Sequence, residues 1–275
     1  MTLIVSVGNP HFVAQLSDRR LTSLGVGSPR LVTDESNKAT VWELPAGRFL
    51  IGYTGITSED IRLNAQFIVN ELLLNLAPKH GYDAGATIEA LANALSETVA
   101  SRFANIRQGD RHLTVMFTGL LDGPIGGMAI PVQALVTNYQ VWGDRDDIEA
   151  WPSFKATLFS PRPEVDWPTL VQRVGAWGVF TESEADALRD LLAPGKPPNA
   201  VVGKMVSLLP AWSSRSGGTV GLQAHSLVIT ADRSRQLIEK YHSQTDSTSF
   251  YGTSKLITTP AISVVIADLK LEVVE

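Results

Sequence analysis

The sequence predicts an α+β protein, a four-layer αββα sandwich of two antiparallel sheets flanked by helix pairs. Three observations predict it. Strand-like and helix-like stretches come in blocks: strands, two helices, strands, two helices, strands. Each of the four helical stretches carries one apolar stripe that has to be buried against a sheet. Of the 275 residues, 44% are hydrophobic and 19% charged, so burial can offset the entropy of ordering the chain.

The first block opens with a β run over residues 3–7, closed by the turn Gly8-Asn9-Pro10. Residues 12–16 follow and end at a charged corner, Asp18-Arg19-Arg20. After a Gly/Ser/Pro loop over 25–29, residues 40–44 and 49–53 form a hairpin about Pro45-Ala46-Gly47. Thr57 with Asp60 is a capping-box pattern, and it opens a helix striped by Ile61, Ala65, Ile68, Leu72 and Leu76. Pro78 stops that helix, and Ile88, Leu91, Leu95, Val99 and Phe103 mark a second.

The second block repeats the order. Residues 113–121, 130–141 and 154–159 read as strands, with Asp122-Gly123 as a hairpin signal. Thr181 with Glu184 caps a third helix through Ala185, Leu188, Leu191 and Leu192, ended by Gly195. Val202, Met205, Leu209 and Trp212 stripe a fourth, and a long β segment runs over 219–230. The expected organisation is one sandwich domain over 1–232. A C-terminal extension over 233–275, packed on the same domain, adds one further strand at 262–267.

Composition narrows the chemistry. With no cysteine, there is no disulfide framework, thiol nucleophile, cysteine zinc site or iron–sulfur cluster. A net charge of −5 argues against a nucleic-acid partner, which would call for a clustered basic face. No stretch approaches the roughly twenty apolar residues of a membrane span, and residues 1–10 lack the pattern of a secretory leader. The expected protein is soluble and cytoplasmic, with no membrane partner. There is no G-x-S-x-G elbow, S-x-x-K, H-E-x-x-H or phosphate-loop motif. Five scattered histidines (His11, His80, His112, His225 and His242) have no metal-ligand spacing, so neither metal nor cofactor is expected.

One constellation remains. Removal of Met1 would make Thr2 the first residue, with a hydroxyl nucleophile and an α-amine of pKa about 8 to serve as its base. Asp18 stands sixteen residues on, at a strand end, and Lys38 precedes the next hairpin. A lysine ammonium beside the amine would hold that amine neutral, and an aspartate beside the lysine would keep the lysine charged.

These residues resemble the opening of proteasome β-type subunits, which belong to the N-terminal nucleophile hydrolases. The resemblance covers the first sixty residues, with Thr2 starting the first strand and Asp18 ending the second, and the later half mainly in its order of elements. Lys38, in Asn37-Lys38-Ala39-Thr40-Val41, holds the place of the family lysine. Gly55, in Gly52-Tyr53-Thr54-Gly55, matches the stretch where a backbone N–H serves the oxyanion hole. Ser216-Gly217-Gly218 is similar to the family's Ser-Gly-Gly, so the resemblance implies Thr2, Asp18, Lys38, Gly55 and Ser216 as catalytic residues. It also implies the αββα sandwich, a threonine-type hydrolase acting on a peptide or small amide substrate, and homo-oligomers. One departure favours an alternative, an inactive self-assembling scaffold or binding module: Ser213 stands where active relatives have an aspartate, while the retained Thr2, Asp18 and Lys38 oppose it. The loop between Asp18 and Lys38 is also longer than in the family.

Overall fold

Leu3–Asn9 (β1) and Phe12–Asp18 (β2) are buried at every residue, so neither strand has a solvent face. Continuous burial of this kind means cover on both sides of the sheet. The computed structural model describes residues 2–23, 30–33, 38–56, 64–123, 127–141, 145–146, 149–159, 166–242, 249–251, 253–266 and 270–272. Its strands continue with Ala39–Leu44 (β3), Gly47–Gly55 (β4), Leu113–Leu121 (β5), Ile130–Thr137 (β6), Lys155–Phe159 (β7) and Leu170–Gly175 (β8). Ala224–Thr230 (β9), Ile238–His242 (β10), Ser254–Thr258 (β11) and Ser263–Ile266 (β12) complete two main sheets.

The first sheet has five strands in the order β8-β1-β2-β9-β10, and the second has seven in the order β7-β6-β5-β4-β3-β11-β12. Residues of the two sheets meet face to face: Ile4 and Val174 pack with Met116 and Leu135, and Val13 and Ile229 with Val41 and Leu50. The outer face of the seven-stranded sheet is covered by Ala65–Leu76 (α1) and Ala84–Arg102 (α2), through Ile68, Leu73, Leu91 and Leu95. On the other outer face, Glu182–Asp190 (α3) and Pro198–Arg215 (α4) lay Leu188, Met205 and Trp212 over Leu3, Val5 and Leu16. The molecule is an α+β, four-layer αββα sandwich.

Local chemistry explains the helix ends. Thr181 and Glu184 make the expected capping box, each side chain bonding the other's backbone N–H. The first helix starts at Ala65 under an Asn64 cap, and Thr57, Asp60 and Ile61 lie outside the described residues. Pro210 sits inside α4 at an exposed position, where the chain remains helical without its N–H.

The structure departs from the sequence reading at three points. The larger sheet is mixed, because β11 runs parallel to β3 while its other pairings are antiparallel. Residues 170–175, to which the sequence reading assigned no strand, form β8 at the edge of the first sheet, paired with β1. Among the described residues, the chain after residue 232 builds five strands instead of one: β10, β11, β12 and a ribbon of Ser249–Tyr251 with Lys270–Glu272. Two of them, β11 and β12, extend the larger sheet past β3.

Candidate functional site

The strand ends of both sheets converge at one end of the sandwich. Thr2 immediately precedes β1, Asp18 is the last residue of β2, and Lys38 immediately precedes β3. All three are buried. Lys38 Nζ donates to Thr2 Oγ1 at 2.7 Å and to Asp18 Oδ1 at 3.2 Å, and also to the Arg20 carbonyl. The lysine therefore links the hydroxyl to the carboxylate.

Backbone groups complete the arrangement. Asp18 Oδ1 also accepts from Leu3 N at 3.1 Å, which ties the carboxylate to the strand carrying Thr2. Its Oδ2 accepts from Gly221 N at 3.0 Å. Burial is the largest influence on this carboxyl and raises its pKa, against the Lys38 charge and the Gly221, Lys38 and Leu3 donors. On the other side, the Thr2 carbonyl accepts from Ala176 N at 2.8 Å at the end of β8. Gly175 has φ +83, and a Cβ there would lie 1.8 Å from the Thr2 carbonyl oxygen and 3.0 Å from Thr54 Oγ1. Only glycine lets the β8 backbone come this close to Thr2.

Gly55 and Ser216 are placed differently. Gly55 ends β4 with φ +117, and a Cβ would meet the His112 carbonyl oxygen at 2.1 Å. The position thus has a packing reason to be glycine, and no hydrogen bond joins it to Thr2 among the described residues. The Ser216 hydroxyl is committed to its own turn, donating to the Ser213 carbonyl at 2.8 Å and accepting from Val220 N at 2.9 Å. What this segment brings to the site is backbone: Gly221 N on Asp18, and the Gly218 carbonyl, which accepts from Arg20 Nη1 at 2.5 Å. Ser213 contributes its carbonyl to the turn, accepting from Ser216 Oγ at 2.8 Å and Gly218 N at 2.9 Å.

Sequence reasoning missed Gly175, Ala176, Gly221 and Arg20. The first three act through their backbone, which leaves no side-chain signal to read. Arg20 belongs to the charged corner Asp18-Arg19-Arg20, and the structure shows its Nη1 on the Gly218 carbonyl. No group of three or more His, Cys, Asp or Glu side chains that could hold a metal ion occurs among the described residues. No helix among them is long and apolar enough to cross a membrane.

No family model matches the chain, and no curated protein matches it either. Among solved structures it is similar to Anbu (ancestral beta-subunit) from Yersinia bercovieri, at 13% identity and TM-score 0.47, covering 86% of each chain. It is also similar to a Gly-1 mutant of Anbu from Hyphomicrobium sp. strain MC1, at 12% identity and TM-score 0.46, covering 90% of this chain and 89% of that one. A third is Thiobacillus denitrificans BPH, at 13% identity and TM-score 0.41, covering 84% of this chain and 99% of that one.

Proposed function

We propose that the protein is a proteasome-like N-terminal threonine hydrolase that cleaves a peptide or amide bond once Met1 has been removed. The observation that carries this reading is the Lys38 ammonium 2.7 Å from Thr2 Oγ1, itself held by Asp18 at 3.2 Å. An ammonium donating to a hydroxyl favours the alkoxide, so it lowers the cost of making Oγ1 a nucleophile. Thr2 Oγ1 attacks the substrate carbonyl carbon while the free α-amine of Thr2 takes the hydroxyl proton. The tetrahedral intermediate collapses, the C–N bond breaks, and the leaving amine takes that proton. The resulting ester on Thr2 is hydrolysed by water, with the α-amine again as base. A backbone N–H near Gly55 is the proposed oxyanion donor. Asp18 acts as a positioning residue, keeping Lys38 charged and in place. By this reading the protein is cytoplasmic and homo-oligomeric.

The test combines intact mass with covalent labelling. The expected result is loss of Met1, and an adduct on Thr2 from an electrophile that needs both a terminal amine and its hydroxyl. Thr2→Ala should abolish both labelling and amide turnover. Retention of Met1, or turnover unchanged in Thr2→Ala, overturns the reading.

The commitment of the Ser216 hydroxyl to its turn, with Ser213 beside it, favours a second reading. In that reading the protein is an inactive, self-assembling scaffold or binding module. A folded, Met1-free protein that takes no label would establish it in place of the first.

A further inference from the structure

The other end of β3 and β4, at Glu43 and Arg48, lies against the chain linking β9 to β10, where Arg233 Nη1 donates to the Leu44 and Pro45 carbonyls. Beyond β3 the seven-stranded sheet continues into β11 and β12. There a cavity of about 280 Å³ is lined by Arg48, Glu43, Lys255, Arg233 and Arg235, with Val41 and Leu237 as its apolar wall. Gly55 and Arg48 are seven residues apart on one strand, which puts the cavity roughly 20 Å or more from the end where Thr2 lies.

The charges are unequal. Arg48 is 6% exposed, and its Nη2 donates to Glu43 Oε1 at 3.0 Å. Its Nε and Nη1 are buried without a hydrogen-bond partner among the described residues, a costly state for a guanidinium. Lys255 Nζ lies 3.0 Å from the same Glu43 oxygen. Behind the lining, Arg233 pairs with Asp122 at 3.1 Å and Arg235 with Asp232 at 3.3 Å. Four cations thus face three carboxylates, leaving one positive charge in excess among these groups. A single carboxylate would balance it.

Beside the charges runs an apolar strip. In register across the sheet, Val41 neighbours Lys255 and then Ile266, while Glu43 neighbours Ile257 and then Val264. Paired residues point to the same face of a sheet, so Ile257, Val264 and Ile266 share the face that carries Val41 and Glu43. Val264 is 37% exposed and Ile266 51% exposed. Exposed apolar side chains leading from a cationic cavity match a ligand that is charged at one end and apolar along its length.

We propose that this cavity and strip bind a monocarboxylate bearing a short unbranched alkyl chain, the carboxylate among the cations and the chain along Ile257, Val264 and Ile266. The site is independent of Thr2, and binding needs no turnover.

Titration calorimetry of the full chain with sodium acetate, butyrate, hexanoate and octanoate tests it, with inorganic phosphate as the control. Affinity should rise by about threefold for each added methylene that reaches the strip. Phosphate should bind no more tightly than acetate. Ile266→Ser, at an exposed position, should flatten the chain-length dependence without weakening acetate. Arg48→Met should weaken the whole series at least tenfold. Should that variant fail to fold, Lys255→Met at the half-exposed neighbour should weaken it in the same sense. Absence of saturable octanoate binding overturns the proposal. So does affinity independent of chain length, phosphate binding tighter than octanoate, or octanoate binding unchanged in both Ile266→Ser and Lys255→Met.

Discussion

Lys38 and Asp18 form a buried ion pair whose members depend on each other, and that dependence can be measured separately from any activity. Asp18 is 1% exposed and Lys38 5% exposed, so neither can turn to water when the other is lost. Lys38→Met would leave a buried carboxylate with only the Leu3 and Gly221 amides, and should cost about 3–5 kcal/mol of stability. Urea denaturation of the purified variant reads that directly. Gly175→Ala forces a Cβ against the Thr2 carbonyl at a left-handed φ, so it should destabilise by at least about 2 kcal/mol and displace Thr2. A denaturation midpoint close to wild type would show that the β8 backbone does not clamp Thr2. At this scale the side chains of the site were legible, because Thr2, Asp18 and Lys38 sit at strand ends flanked by turn signals. Gly175 and Gly221 were not, because a backbone amide or a close approach leaves no mark on residue type.

The elements differ in how much of their stability is local. Helix α3 is short and owes its start to the reciprocal Thr181–Glu184 box. Thr181→Ala should therefore cost about 1 kcal/mol, read from the same denaturation curves. The pairing of β9 with β10 carries a pH dependence instead. Ser226 Oγ and His242 Nε2 lie 2.8 Å apart, and burial, aided by Lys240 and His225, lowers the His242 pKa to about 4. Burial likewise lowers His225, although Glu239 at 2.7 Å pulls the other way. An unfolded histidine takes its proton near pH 6.5, whereas folded His242 resists until about 4. Between those values the unfolded state binds more protons, so stability falls as pH falls from about 6.5 toward 4. His242→Gln should remove part of that slope. The wild-type loss in stability from pH 7 to 5 should exceed the variant's by about 1 kcal/mol, after allowance for the exposure of the ring. Equal losses would show that this histidine does not drive the effect. Strands β10 and β11 escaped the sequence reading because they are short and their polar and apolar residues do not alternate.

For the whole molecule, the residues after 232 are built into both sheets. Leu256 of β11 has no exposed surface and packs in the core beneath α1 and α2. Beside it, Trp42 Nε1 donates to Thr258 Oγ1 at 2.9 Å. Leu256→Ala should cost about 2–5 kcal/mol, the range for a large-to-small change in a packed core, and should shift the single unfolding transition of the entire chain. A separate, earlier transition would mean that these strands unfold independently of the sandwich.

By itself the sequence determined the four-layer plan and the candidate nucleophile site. Helical stripes and strand runs record local burial residue by residue, and Thr2, Asp18 and Lys38 stand at strand ends that the pattern locates. Only the tertiary structure decided how far the larger sheet extends and that Lys38 bridges Thr2 and Asp18. It alone placed Gly175 against Thr2, closed the Ser216 hydroxyl into its own turn and set Arg48 at the edge of a cavity. Strand order, parallel insertion and backbone approach arise from contacts between residues far apart in the chain. Such contacts impose no period on the sequence, so periodicity cannot reveal them.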